Sequence, residues 1–129
     1  MASEALSRDG SLRPRPGEPG EELAAVHLVR KGLRILARNY RCRTGEIDIV
    51  AEDRGTVVFV EVKERAGDSH GSAVETVTAA KRHKIVRAAR FYAATHGVSE
   101  SPLRFDVVAI DWGPDGPRVR HDEGAFGET

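Results

Sequence analysis

Asp48 and, one strand and one turn later, Glu61 and Lys63 are the residues whose types and spacing best suit chemistry. Side chains alternate along a strand, so in TGEIDIVAE Ile47, Ile49 and Ala51 share one face and Glu46, Asp48 and Val50 the other. In TVVFVEVKE, Val58, Val60 and Val62 oppose Val57, Phe59, Glu61 and Lys63. If the two purely apolar rows face one core, odd positions pair with even ones, and Glu46, Asp48, Glu61 and Lys63 fall on one face. A two-residue Arg54-Gly55 loop would set Asp48 directly across from Glu61, and a longer loop would shift them by one diagonal. Two carboxylates about 5 Å apart repel by roughly 3 kcal/mol at an effective dielectric of about 20. Positive charge is therefore expected between them. Lys63 is one source; Mg²⁺ or Mn²⁺ is a better one, because Mg²⁺ takes one or two carboxylates together with waters and phosphate oxygens. The chemistry this predicts is phosphodiester hydrolysis, with the metal activating phosphate and water while Lys63 positions the nucleophile or steadies the developing charge.

The elements that must hold these residues are legible in turn. EELAAVHLVRK has helix formers with apolar residues at helical spacing and Gly32 beyond them, which predicts a helix over about Glu21 to Lys31. LRILARNY, TGEIDIVAE and TVVFVEVKE predict three strands, the last two antiparallel across Glu52-Asp53-Arg54-Gly55. Ser72 and Glu75 stand at capping-box spacing and open a helical region reaching Gly97, with a break near Thr78 and an apolar stripe of Ile85, Ala88, Ala89 and Tyr92. LRFDVVAIDW at 103–112 predicts a further strand, ended by PDGP. The reading is one domain over 20–113, an α/β sheet layered with helices in the order α-β-β-β-α-β. The Pro, Gly, Ser and Arg-rich residues 1–19 read as a flexible tail, and 114–129 as a tail or edge strand.

Twenty basic and twenty acidic side chains cancel, so no global cationic field points to nucleic acid. The charges are sorted locally, however. Arg30, Lys31, Arg34, Arg38, Arg41 and Arg43 cluster early, and Lys81, Arg82, Lys84, Arg87 and Arg90 later. The second group, Lys81, Arg82, Lys84 and Arg87 above all, is the candidate to track a phosphate backbone, against the ordinary reading of a solvated helix face. The lone Cys42 makes no internal disulfide and reads as structural; with no signal-like apolar run and no membrane-length segment, the expectation is a cytoplasmic protein. The five histidines show no metal-ligand spacing.

Asp48 followed by Glu61-Val62-Lys63 resembles the PD-(D/E)XK signature of restriction endonucleases and Holliday-junction resolvases. GEELAA at 20–25, RILARNYRCRTGEIDIVA at 34–51, VFVEVKER at 58–65, AVETVTAAKRHKI at 73–85 and RFDVVAID at 104–111 together resemble the YraN family. The resemblance implies a restriction-endonuclease-like mixed β-sheet flanked by helices, Asp48 and Glu61 as metal ligands, Lys63 as the catalytic lysine and Glu21 as a helix-borne acid at the metal. From the residues alone, Glu21 and Glu22 are equally placed for that role. Ile47 stands where the nuclease signature has proline, and His70 where the family has an aromatic residue. The expected function is a metal-dependent endonuclease acting on nucleic acid, DNA first, including branched DNA; the alternative is an inactive nucleic-acid-binding module on the same fold. A homodimer is left open.

Overall fold

The computed structural model describes residues 18–67 and 71–127. Residues 1–17 of the expected tail and His70 lie outside the described residues, while Glu18 and Pro19 already belong to the first helix. The elements are α1 (Glu18–Arg30), β1 (Arg34–Cys42), β2 (Gly45–Asp53), β3 (Thr56–Ala66), a 3-10 turn (Ala73–Thr76), α2 (Ala79–Thr95), β4 (Leu103–Gly113) and β5 (Gly116–Phe126). They form a five-stranded sheet in the order β1-β2-β3-β4-β5. Neighbours are antiparallel except β3 and β4, which are parallel. A parallel pair needs a long crossover, and α2 supplies it.

Local chemistry explains the boundaries. Gly32 takes a left-handed φ of 96°, and the Leu33 N–H closes on the Leu28 carbonyl at 3.0 Å, which ends α1. Arg54 and Gly55 both have positive φ, 53° and 91°, so they form the two-residue turn whose twist suits a hairpin. Thr78 interrupts the helical region because its Oγ1 accepts the Lys81 N–H at 3.2 Å and caps α2. β5 is a full edge strand on β4, although its residues are mostly polar.

Each face of the sheet buries its own core. Ala24, Ala25 and Leu28 of α1 pack on Ile49, Ala51, Val58, Val60, Val108 and Ile110. Ile85, Ala88, Ala89 and Tyr92 of α2 pack on Val50, Phe59, Phe105, Val107 and Ala109. Ile47 does not follow Ile49 and Ala51, as simple alternation predicts; it lies in the α2-side core. The reason is a change of face shared by two strands. Ala37 and Tyr40 both pack on the α2 side although three residues apart, as do Val50 and Ile47. Between them Asn39, bracketed by the Arg38–Ile49 and Tyr40–Ile47 pairs and therefore level with Asp48, has φ 55°. A left-handed residue in the strand rotates the residues beyond it, so the kink sits beside the acid.

This conformation makes a prediction. Asn39→Val should destabilise the fold by roughly 1–2 kcal/mol, because Cβ-branched residues resist positive φ, whereas Asn39→Gly should be close to neutral. Urea denaturation midpoints check this; equal midpoints for the two variants would remove the strain argument.

Candidate functional site

The β2–β3 register pairs Ile49 with Val60, so the next positions, Asp48 and Glu61, stand opposite one another just beyond the last ladder pair. Asp48 Oδ2 accepts the Val62 N–H at 2.8 Å, its side chain serving the backbone where the strands part. Glu61 is 5% exposed and hydrogen-bonded to Asp48 side chain to side chain. From α2, Lys81 Nζ approaches Glu61 Oε2 at 3.7 Å. The Thr78 cap fixes the turn that presents it.

The electrostatics follow from burial. Desolvation, then the Asp48 charge, push Glu61 from an ordinary 4.5 to about 7, with Lys81 and Lys63 pulling the other way. Burial also raises Asp48, offset in part by the Val62 N–H and Lys81. Below about pH 7, when no cation takes its place, a proton is therefore shared within the pair, as between close carboxylates. Lys63 lies two residues beyond Glu61 on β3, half-buried, and acts on Glu61 through its charge.

Glu46 is exposed and lies 3.5 Å from Arg41, apart from the acid pair's hydrogen bond. The expected three-acid ligand set is not gathered: among the described residues no group of three or more His, Cys, Asp or Glu is arranged to hold a metal ion. Glu21 belongs to α1, which packs on the sheet face opposite α2 and Lys81. Glu22 reaches Arg38 at 2.8 Å. Asp48 and Glu61 nevertheless suit a hard divalent ion, because Mg²⁺ is held by one or two carboxylates and completes its shell with water and substrate phosphate.

The helix cations divide. Lys81 faces Glu61. Arg82 turns inward, donating from Nε to the Val77 carbonyl at 2.9 Å and from Nη2 to the Val74 carbonyl at 3.1 Å, with its guanidinium 5.5 Å from the Phe126 ring centroid. It secures the 3-10 turn. Lys84 and Arg87 are exposed.

Two buried ionic clusters escaped the sequence. Asp111 pairs with both Arg65, at 2.7 and 3.1 Å, and Arg120, at 3.2 Å, tying β3, β4 and β5 together past Lys63. On the α1 face Asp106, wholly buried, accepts from Arg104, Gly124 and His121, and His121 meets His27 of α1 at 3.0 Å. The signal available was only a pair of aspartates flanking the apolar run VVAI in RFDVVAID. Buried acids demand partners, but those partners lie on other elements.

No helix of the described residues is long and apolar enough to cross a membrane. Among solved structures the chain is similar to Pyrococcus furiosus SfsA in complex with Ca²⁺, with a TM-score of 0.37 and 15% identity over 83% of this chain. It spans 62% of that protein's length. A UPF0102 protein of Symbiobacterium thermophilum is 50% identical over 113 residues, which cover 87% of this chain and 96% of the relative. One from Anaeromyxobacter dehalogenans is 46% identical over 118 residues, 92% and 88% of the two chains. Residues 20–110 match the model of the uncharacterised protein family UPF0102, and with these relatives the match places the chain in that family, the YraN proteins.

Proposed function

We propose that this protein is a divalent-metal-dependent endonuclease that hydrolyses phosphodiester bonds in DNA, in the bacterial cytoplasm, with Mg²⁺ or Mn²⁺ on Asp48 and Glu61. The carrying observation is the Asp48–Glu61 pair, with Glu61 buried and facing Lys81, and Lys63 next along the same strand. A structural ion pair needs one acid and one base; two hydrogen-bonded acids kept 5% exposed at Glu61 cost stability that packing alone does not return. When bound, the ion supplies Lewis-acid activation of the phosphate and of a water. The chain's own residues do the rest. Asp48 is fixed by the Val62 N–H, so its carboxylate is already oriented. Lys63 orients the attacking water or meets charge developing on the phosphoryl oxygens, and Lys81 lowers the repulsion within the acid pair.

The test is a cleavage panel of labelled duplex, flap and four-way-junction DNA with Mg²⁺, Mn²⁺ or chelator, run for the wild type, Asp48→Ala and Lys63→Ala. Cutting that needs metal and falls at least about 100-fold in both variants is expected. Salt-sensitive binding of all three DNAs with no cutting would instead assign a binding module without turnover.

A further inference from the structure

Where the β1–β2 hairpin end meets Lys84 of α2 there is an open cleft of about 360 Å³, lined also by Arg41, Cys42, Arg43, Thr44 and Glu46. The helix cations singled out in the sequence do not account for it, since Arg41 lies at the end of β1 and Arg43 in the turn. Its position is set by the same elements that build the acid pair. Gly45 and Glu46 open β2 and lead directly to Asp48. Lys84 comes three residues after Lys81 on α2, so the two occupy neighbouring places on one helix face, about 4.5 Å apart along the axis. The turn is seated on the helix: a Cβ at Gly45 would lie 3.4 Å from the Lys84 carbonyl oxygen, so the cleft has two walls in contact.

The charges in it fit an anion. Three cations face one carboxylate, and that carboxylate, Glu46, is exposed and 3.5 Å from Arg41. Among the described residues Arg43 and Lys84 have no carboxylate partner. Arg34, Arg38, Arg65, Arg104 and Arg120 are each matched with a carboxylate; Arg87 and Arg118 have none among the described residues either, but only Arg43 and Lys84 of these unmatched cations line the cleft together. Unmatched cations gathered in a concavity, one helical turn from a site read as phosphodiester-directed, are placed for the next phosphate of the same strand.

We propose that the cleft formed by Arg41, Arg43, Thr44 and Lys84 holds a backbone phosphate adjacent to the one presented to Asp48 and Glu61, and so sets the path of the bound nucleic-acid strand. The inference rests on the nucleic-acid reading of the acid pair and adds the direction in which the strand leaves it. The contact is to phosphate, so it carries affinity and register without base preference.

The test is fluorescence anisotropy with the full chain in chelator, so that no cutting intervenes, using a labelled DNA duplex and an RNA duplex of the same sequence across a salt series. Arg43→Ala combined with Lys84→Ala is compared with the wild type and with Arg118→Ala, an exposed cation on β5 outside the cleft. Circular dichroism confirms folding of each. The double variant is expected to bind about 10-fold more weakly at ~0.1 M salt and to lose about 1 to 2 from the slope of log K against log salt, while Arg118→Ala matches the wild type. The duplex on which this loss occurs identifies the nucleic acid. Wild-type binding with an unchanged slope in the double variant overturns the cleft assignment alone; failure of the wild type to bind either duplex overturns it together with the functional reading.

Discussion

Glu61→Gln is expected to stabilise the metal-free protein at pH 8 while abolishing both its response to divalent cations and its cleavage of DNA. Burial and Asp48 hold the Glu61 carboxyl at about 7 in the folded chain, against 4.5 for an unperturbed glutamate. The folded state therefore binds its proton more tightly than the unfolded state does. Between these two values unfolding releases a proton, so stability falls as pH rises from about 4.5 and the full cost is reached above 7. A shift of this size, which already includes the opposing pull of Lys81, corresponds to up to about 3 kcal/mol. Glutamine keeps the shape, stays neutral at every pH and still donates to Asp48. Urea unfolding in chelator at pH 5 and pH 8 should show the two proteins converging at the lower pH and the variant ahead at the higher. Added Mn²⁺ should raise the wild-type midpoint and leave the variant where it was, because only the native acid pair offers two anionic donors. Parallel pH slopes would remove the buried-acid account, and an equal Mn²⁺ response would remove Glu61 from the metal site.

The same pair shows what the sequence could disclose. Two apolar rows and a short Arg54-Gly55 link were enough to bring Asp48 opposite Glu61, because register has only two parities and the one that sets Ile49 and Ala51 beside Val60 and Val58 in one core also aligns the two acids. All of those residues lie close together in the chain. Alternation failed at Ile47, where the positive φ of Asn39 on the neighbouring strand turns β1 and β2 together, and no alternation rule within β2 contains that information. Lys81 and Arg82 read alike as helix cations. Their separation, one toward Glu61 and the other toward the Val74 and Val77 carbonyls, depends on the helix starting at Thr78 and on where the 3-10 turn folds back. Glu21 illustrates the reverse limit. Its helix was legible, but which sheet face that helix covers was not, because that depends on how α1 packs and not on its own residues.

Asp106 sits where the residue pattern offered least warning and where substitution should cost most. Its two oxygens receive four donors: Arg104 Nε and Gly124 N on Oδ1, Arg104 Nη2 and His121 Nε2 on Oδ2, all within 3.0 Å. Burial alone would raise this carboxyl, but the hydrogen bonds from His121, Arg104 and Gly124 outweigh it and hold it below the ordinary aspartate range. Because Asp106 only accepts, His121 carries its proton on Nε2, leaving Nδ1 to accept from His27 of α1 and from Lys31. One aspartate thus ties β4 to β5 and, through His121, to α1. Asp106→Asn turns one acceptor into an NH₂ that faces donors and leaves Asp53, at the border of solvent, as Arg104's remaining carboxylate. Breaking one side of a buried charge cluster in this way is expected to cost about 3–5 kcal/mol at neutral pH. The difference from the wild type should narrow as pH falls below about 4, since the depressed carboxyl gives its stabilisation above the unfolded value and loses it on acidification. Amide exchange should be faster first along Gly116–Phe126, while Glu61 and Lys81, on the other face, keep their arrangement in the folded fraction. A variant with unchanged stability and unchanged protection in β5 would show that Arg104 and His121 are held by packing, and that the buried carboxylate is not what joins the three elements.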